Sequence, residues 1–557
     1  MFQNPIILPL HPIQNTLVEW FLEPLPSLDT LVLNVFDPRD LDVILRLEGE
    51  KAVHGYWHEG YRRLDSQSDS VITEVWEKTD VRGMRVRFVP QKAGQYHGVL
   101  EVFVHGLLHT WYPIQFVASP SSRPSFLASI DLDNHRTFLV DKKTFLPIGQ
   151  NLCWPRQHHG AISDYRHWLD QIASHGGNFV RIWLTIRNFS LVGGSFTDFS
   201  AKMIEMAKLE AVLNLCAERN IHFMLCTMQH GLFSRKVNPA WDHNPWNVKN
   251  GGHLADPWLF FTDSLAKAQY HQMLTYYLRR FGHFDHLFAW ELWNEVDWTD
   301  EFNDSAVTEW HREMSQFIHE NDPAGHLVTT SYKSYFGQAG KLDSIDFVNP
   351  HSYDYVACNA LTMMISTQGA VRERYLKPVL HSEIGLDWRS GHGTLASDPQ
   401  GICFLQGLLG IFAGGAGAAM QWWWDTYVEE LGLYRHYEGI AEIAKHMDLS
   451  GPSLCYLNAI DVEPKETLSA CGYTKTDSAA FLIFAKEWQY AKPDIGEMSD
   501  IHVKLPMPPG KYHAEVRETT LGKVLTTFEL TSADGMLEFT IPSLHNATVV
   551  LVSKSLL

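Results

Sequence analysis

The sequence predicts a multidomain chain: a parallel (β/α)8 barrel of the TIM type, flanked by an N-terminal immunoglobulin-like β-sandwich and a C-terminal β-sandwich. Three observations predict it. Hydrophobicity alternates with period 2 from about Thr16 to Val117, changes to short apolar runs separated by helical stretches, and returns to period 2 beyond about Ser453. The Ser/Pro segment "SPSSRPS" at Ser119–Ser125 punctuates the first change. At 557 residues the chain exceeds one ordinary core, since domains run to about 100–200 residues.

The N-terminal runs are "TLVLNVF", "DVILRL", "VITEVWEK", "MRVRFVP", "GQYHGVLEVFV" and "WYPIQFVA", a spacing of short alternating strands that fits a sandwich over residues 1–122. Eight strand candidates follow in residues 123–452: "FLPIGQNLCW" from Phe145, "NFVRIWLT" from Asn178, "HFMLCTMQH" from His222, "LFAWELWNE" from Leu287, "HLVTTSY" from His326, "DFVNPHSY" from Asp346, "PVLHSEIG" from Pro378 and "AAMQWWWD" from Ala418. Helical stretches such as "AKMIEMAKLEAVLNLCAERN" and "AVTEWHREMSQFIHEN" lie between them, so the segment reads as repeated βα units closing into a barrel. Alternation resumes in "AAFLIFAKE", "IHVKLPM", "YHAEVRET", "TTFELTS" and "MLEFTIP", a second sandwich over residues 453–557.

Composition narrows the function. With 45% hydrophobic and 20% charged residues the chain is a packed globular protein. A formal charge of −19 without a basic run repels phosphate backbones, which argues against nucleic acid as a partner. No window approaches the roughly 18 apolar residues of a membrane span, and "ICFLQGLLGIFAGGAGAAMQWWW" reads as a buried helix running into a buried strand. The N-terminus lacks a cationic signal-peptide region. Seven cysteines (Cys153, Cys216, Cys226, Cys358, Cys403, Cys455, Cys471) are widely spread, without a CxxC pair, and odd in number. Together these predict a reduced, cytoplasmic setting. A homo-oligomer is compatible with the sequence, which does not specify oligomeric state.

The chemistry concentrates at strand ends. In "FAWELWNEVDW", Glu295 closes the fourth strand, at the barrel mouth, whereas Glu291 lies lower on the same strand. Glu383 closes the seventh strand, about three βα units of roughly 30 residues later, so the two glutamates face each other across the mouth. Paired carboxylates there can divide the labour of glycosidic cleavage, one protonating the leaving oxygen while the other attacks or activates water. A separation of about 5–5.5 Å implies a covalent intermediate and retention, a wider one inversion.

These residues resemble clan A glycoside hydrolases, particularly cellulase-like family 5 members, where an Asn-Glu pair ending the fourth strand carries the acid/base and a glutamate ending the seventh is the nucleophile. Trp293-Asn294-Glu295 matches the first and His381-Ser382-Glu383-Ile384-Gly385 the second. Arg181 on strand two, His230 after strand three, His351-Ser352-Tyr353 after strand six and the tryptophans of "QWWWDTYV" fall where that pattern has its other members. The N-terminal sandwich is similar to the small β domain preceding the barrel in some cellulase-like proteins. The resemblance implies a retaining β-glycosidase acting on oligosaccharides or glycosides, without a cofactor. Glu295 would be acid/base and Glu383 nucleophile.

Physical roles follow for the rest. Asn294 is placed to bond a sugar 2-hydroxyl, Tyr353 to hold one nucleophile oxygen, and Arg181 to keep Glu383 ionised while Glu295 stays protonated. Trp424, with Trp422 on the same face, is the expected aromatic floor, because sugar C–H faces stack on indole. Trp154, after strand one, and Trp241 and Trp246, in the long segment after strand three, are candidates for further subsites, against the plainer reading that loop aromatics pack on one another. That long segment could wall one end of the cleft and make the enzyme exo-acting. Glu291 is expected to be structural, an ion-pair partner of a barrel arginine. "RQHHG" at Arg156 and "WDHNPW" at Trp241 invite a metal reading, but neither has HExxH or Cys/His spacing, so no metal is expected. The competing functions are a non-catalytic carbohydrate-binding protein on the same scaffold and a transglycosylase.

Overall fold

The computed structural model describes residues 1–555 apart from 69–70, 157–160, 186–187, 194, 334–336, 354–359, 387 and 389–390. The N-terminal strands are β1 (Ile6–Leu8), β2 (Val18–Leu22), β3 (Leu41–Leu47), β4 (Val53–His54), β5 (Tyr56–Ser68), β6 (Val71–Phe88), β7 (Gly94–Val104) and β8 (Leu107–Ala118). They form two four-stranded antiparallel sheets, β1-β2-β6-β5 and β4-β3-β7-β8. Inward residues of both, among them Trp20, Val43, Leu45, Met84, Val86, Leu100 and Phe116, share one core. Two of the expected runs, "VITEVWEK" and "MRVRFVP", are a single long strand, β6. The run "TLVLNVF" is not a strand: residues 30–36 are turn and coil, with Leu31 and Val32 in solvent and Phe36 turned into the core. Alternation there comes from a meandering loop that buries one aromatic, which period alone cannot distinguish from a strand.

A small antiparallel sheet of β9 (Ala128–Ile130), β10 (Phe138–Val140) and β11 (Lys143–Phe145) precedes the parallel region. Then come β12 (Gly149–Asn151), β13 (Phe179–Trp183), β14 (His222–Cys226), β15 (Leu287–Glu291), β16 (Leu327–Thr329) with its continuation β17 (Ser331–Tyr332), β18 (Asn349–Tyr353) and β19 (Glu383–Gly385), paired in parallel and in chain order. The eighth segment, Ala418–Trp422, is not a regular strand. It bridges Gln421 to both Gln150 and Ile384, and its backbone bonds to Pro147, Asn151, His381 and Ile384 close the ring. Gly149 is required where β12 meets β13, since a Cβ there would lie 1.6 Å from the Phe179 carbonyl oxygen.

Helices return the chain outside the ring: α1 (Ala161–Ser174), α2 (Met203–Glu218), α3 (Ser264–Phe281), α4 (Asp304–Asn321), α5 (Ala360–Tyr375), α6 (Gly391–Ser397) and α7 (Ile402–Phe412). Helix α1 buries Ile162, Tyr165, Leu169 and Ile172 at helical spacing, and α3 and α4 start on side-chain caps, Asp263 to the Ala266 amide and Asn303 to the Ala306 amide. The ring's lower end is filled by Phe138, Phe179, Met224, Phe288, Phe347, Leu380 and Met420, with Phe138 of β10 stacked edge-on to Phe288 and Phe347.

The C-terminal strands, between Cys455 and Lys554, form a six-stranded and a three-stranded sheet around a core that includes Phe481, Ile483, Val503, Tyr512, Ile541 and Val550. Leu468–Thr474 and Ala547–Lys554 are strands beyond the five runs expected. Among the described residues no helix is long and apolar enough to cross a membrane, and Cys153, Cys216, Cys226, Cys455 and Cys471 are unpaired. Cys358 lies outside the described residues.

Charged side chains join the first sandwich to the underside of the ring. Arg87 of β6 donates to Glu19 (2.7 Å), to the Arg280 carbonyl (3.0 Å) and to Glu210 of α2, while Arg280 donates to Glu210 (2.8 Å) and to Tyr276 (3.1 Å). These two arginines hold the half-buried Glu210 carboxyl well below the usual carboxylate range, against the rise that desolvation alone would bring. Removing one partner of a buried network leaves uncompensated charge, so Arg87→Ala is expected to lower unfolding free energy by roughly 3–5 kcal/mol in denaturant titrations; a change within error would show that Glu210 is satisfied without it.

Candidate active site

The site is organised from within strand β13, "FVRIW". Side chains two apart share a face, so Phe179 joins the apolar floor, Arg181 occupies the next layer up and Trp183 the one above. Arg181 is wholly buried, and each of its five N–H donors has an acceptor. Nε and Nη2 clamp Glu291 at 2.6 and 2.8 Å; Nη1 donates to Glu383 (2.6 Å) and Asn151 (3.1 Å); the second Nη2 hydrogen goes to Asn294 Oδ1 (2.7 Å). Glu291 therefore is an ion-pair partner of a barrel arginine, and Asn349 also donates to it, at 3.3 Å.

Beyond Glu291 the chain leaves the sheet through a turn fixed on both sides. The Asn294 amide donates to the Met228 carbonyl (2.8 Å), and the Glu295 amide to Ser331 Oγ (3.0 Å). Glu295 itself sits at φ 48°, ψ 56°, a left-handed conformation that costs a non-glycine residue about 1–3 kcal/mol and that the surrounding bonds hold in place. The turn lifts its carboxyl to the mouth, 9% exposed. Glu383, 3% exposed, stands opposite at the start of β19. One carboxylate oxygen of each, together with a ring nitrogen of His351, lie within 4.8 Å of one another.

The surroundings of the two carboxyls differ. Glu383 has both oxygens held, Oε1 by Arg181 and Oε2 by the Tyr353 hydroxyl at 2.6 Å. Burial of Tyr353 pushes its phenol far up, so that group stays a donor. Glu295 faces imidazoles: Oε1 lies 2.9 Å from His351 Nδ1 and Oε2 3.5 Å from His230 Nδ1. Burial lowers His351 to about 4 and also depresses His230, so both rings are neutral near pH 7. Burial raises both carboxyls. At Glu383 that rise is opposed by the Arg181 guanidinium and the Tyr353 phenol, both in direct contact with its oxygens, whereas the nearest polar groups to the Glu295 oxygens are the two imidazoles.

His230, His351, Tyr353 and Arg181 thus each meet one or both glutamates, and Asn294 is joined to them through Arg181 and His230. The aromatic expectations fare less evenly. Trp154 is half-buried, with ring centroids 5.8 Å from Trp183 and 5.5 Å from Trp422, which is also half-buried. Trp424 is not a floor: it is 1% exposed and packed edge-on against Trp154 and Trp168, because the chain enters a π-helical turn (Trp424–Val428) and aims the indole outward into the helix layer. Trp246 is likewise 1% exposed, donating to Gln269 (2.8 Å) and packed on Phe196 and Phe260; with Trp241 it forms the inside of the strand-three excursion and offers no open face. Of the segments with a metal-like pattern, His158 and His159 lie outside the described residues, and Asp242 is a surface partner of Lys249.

Sequence reasoning missed Asn151, Asn349 and Ser382, which tie β12, β18 and β19 to the same network. Asn151 Nδ2 bonds the Ser382 and Gln421 carbonyls at 2.8 and 2.9 Å, and His351 Nε2 is 3.1 Å from Ser382 Oγ. Asparagines one layer below a strand end, in "GQN" and "VNPHS", were the available signal. Trp423, half-buried, was missed too: a Cβ on Gly385 would lie 2.9 Å from the Tyr353 ring and 3.8 Å from Trp423, so both rings border Gly385 at the end of β19.

No protein-family model matches the chain, and no curated protein matches it by sequence. Solved structures do share its fold. A Bacteroides vulgatus protein assigned provisionally to the glycoside hydrolases superposes with TM-score 0.63 at 16% identity, over 98% of this chain and 100% of that one. A second protein, described as a glycoside hydrolase, gives 0.53 at 11% identity over 77% and 98% of the two chains. A family 5 glycoside hydrolase from Bacteroides vulgatus gives 0.53 at 12% identity over 76% and 93%. The likeness is one of fold, and extends in the first case along the whole chain.

Lysine carries three donors and no fork, so Arg181→Lys leaves at least two of the acceptors around it unmet. The expected outcome is a loss of roughly 3–5 kcal/mol in unfolding free energy, read from denaturant midpoints. A variant as stable as wild type would mean that the network is not what holds this layer together.

Proposed function

We propose that this protein is a retaining β-glycoside hydrolase of the clan A, family 5-like type, acting on oligosaccharides or glycosides. The observation that carries the reading is the convergence of Glu295 and Glu383 at the mouth of a parallel β/α ring, one oxygen of each within 4.8 Å, a close pairing of the kind double displacement uses. In the first step Glu295 gives its proton to the glycosidic oxygen while a Glu383 oxygen attacks the anomeric carbon, forming a glycosyl ester and releasing the leaving group. In the second, Glu295, now a carboxylate, takes a proton from water as the water attacks the same carbon, and Glu383 is regenerated. Ester formation removes the charge that disfavours ionisation of Glu295, which suits it to the change from acid to base.

The neighbours have matching work. Arg181 and Tyr353 steady the nucleophile's two oxygens, and the bond from Arg181 to Asn294 Oδ1 turns the asparagine NH2 away from the guanidinium, to 3.3 Å from His230 Nδ1, where its second hydrogen is the donor for a sugar 2-hydroxyl. Trp422 and Trp423 are the aromatic surfaces for the ring of the sugar. We assign residues 1–122 to a bracing sandwich, 123–452 to the catalytic barrel and 453–557 to the second sandwich. Cytoplasmic, exo-type trimming of small substrates is the physiological setting we favour, with the strand-three excursion blocking one end of the cleft.

Among aryl β-glycosides, wild type is expected to cleave one configuration, Glu383→Ala to lose that activity, and azide to restore it with the α-glycosyl azide as product. Activity retained in Glu383→Ala would remove the assignment. On a labelled oligosaccharide the same enzyme should release single terminal sugars, and early mid-chain cuts would exclude exo action. Because Glu295 must be protonated in the first step and burial raises its pKa above the usual value, kcat/KM should fall as pH rises through that raised value. With an activated aryl leaving group, Glu295→Ala should keep kcat/KM, which reports the first step, lose this basic limb and turn over more slowly for want of the base in the second step; an unchanged limb would place the acid elsewhere.

A further inference from the structure

The two longest neighbouring strands of the first sandwich, β5 and β6, extend well past its core. At their base the Trp57 carbonyl accepts from Tyr276 and the Gly55 carbonyl from Arg279, both near the C-terminal end of α3 and hence on the ring's underside. Helix α2 packs along β5. Further out, Arg63 pairs with Trp76, and Asp65 with Glu74, across the hairpin. Here Glu74 Oε2 accepts from the Ile162 amide (2.9 Å), in the first turn of α1, while Arg63 donates to Ser163 Oγ (3.1 Å). The first turn of α1 lies at the opposite end of the ring, beside the mouth. Seven or eight strand residues at about 3.3 Å each cover the roughly 21 Å of a 14-residue helix, so the hairpin spans the barrel wall from underside to rim.

What α1 holds at that rim is the segment following β12. Tyr165 donates to the Leu152 carbonyl (2.7 Å), Asp164 accepts from the Arg156 amide (2.8 Å), and the Arg156 guanidinium lies 5.6 Å from the Trp168 ring centroid. Trp154 is suspended between those two anchors, its ring against Trp183 and Trp422. Asn151, one step before them, is bonded to Arg181. The cap on α1 comes from a strand of the other domain: Glu74 supplies a carboxylate to an amide that has no partner within the helix, where the helix dipole also favours negative charge. Its second oxygen is fixed by the Trp76 indole N–H at 2.6 Å.

We propose that the β5–β6 hairpin is a positioning element of the active site: by capping α1 through Glu74 it fixes the rim from Leu152 to Arg156, and so the face that Trp154 presents to bound substrate. The kinetic consequence rests on the glycosidase reading above; the contact itself does not. Glu74 touches no reacting atom, so it should act on binding rather than on the chemical step.

The test compares wild type, Glu74→Ala and the double variant Glu74→Gln, Trp76→Phe, each as the full chain. In Glu74→Ala, amide exchange across residues 161–165 should quicken and KM rise, both roughly ten-fold, with kcat within about two-fold. The double variant should recover both values, because a glutamine oxygen can still accept from the Ile162 amide once no indole N–H faces its NH2. Faster exchange with unchanged KM overturns the proposal, as does unchanged exchange. Faster exchange throughout β13 and β15 overturns it as well, by showing that Glu74 only stabilises the fold. A wild type that cleaves no glycoside removes the catalytic reading instead. Exchange at 161–165 then decides the rim contact: unchanged in Glu74→Ala it is refuted, quickened and then restored in the double variant it stands.

Discussion

A guanidinium buried without water must have every donor answered, and the site described above is the answer to that requirement for Arg181. Its five donors reach four acceptor residues on three strand segments: Asn151 on the first, Glu291 and Asn294 on the second and Glu383 on the third. No smaller set would satisfy it, so the relative heights of these segments are constrained by one side chain. Two carboxylates compete for a single positive charge. Glu291, clamped through two nitrogens, neutralises most of it. Glu383 pairs with the same guanidinium through Nη1 alone, at 2.6 Å, and leaves its other oxygen to the Tyr353 hydroxyl.

The remaining polarity is arranged around that imbalance. Neutral histidines, rather than cations, flank Glu295, and a neutral phenol completes the shell of Glu383. Desolvation is therefore the leading influence on both glutamates, and it is modulated by dipoles that need no counter-charge. The left-handed backbone at Glu295 belongs to the same economy of space: the chain must turn out of the sheet within one residue of Asn294 if one neighbour is to bond Arg181 and the other is to reach the mouth.

Much of this was legible in the sequence, for a geometric reason. A barrel turns strand order into angular position and strand ends into a single face, so Glu295 and Glu383 could be placed together from spacing, and the family resemblance added Arg181, His351 and Tyr353 to the same mouth. What failed to read were features set by local backbone departures. Trp424 and Trp423 exchange their expected environments because a π-helical turn begins where alternation was extrapolated. Trp246 sits in an excursion with its own core, where aromatic content reports packing. The asparagines beneath the strand ends were visible as residues, but only the demand of Arg181 for acceptors gives them meaning, and that demand appears once the layers are stacked.

The apolar stopper at the foot of the ring, with Phe138 set against Phe288 and Phe347, turns the barrel from a tube into a cup. Above that stopper Arg181 is wholly buried, and Glu383 and Glu295 are 3% and 9% exposed, so the polar layers grow more open step by step toward the rim, and the rim is where solvent meets them.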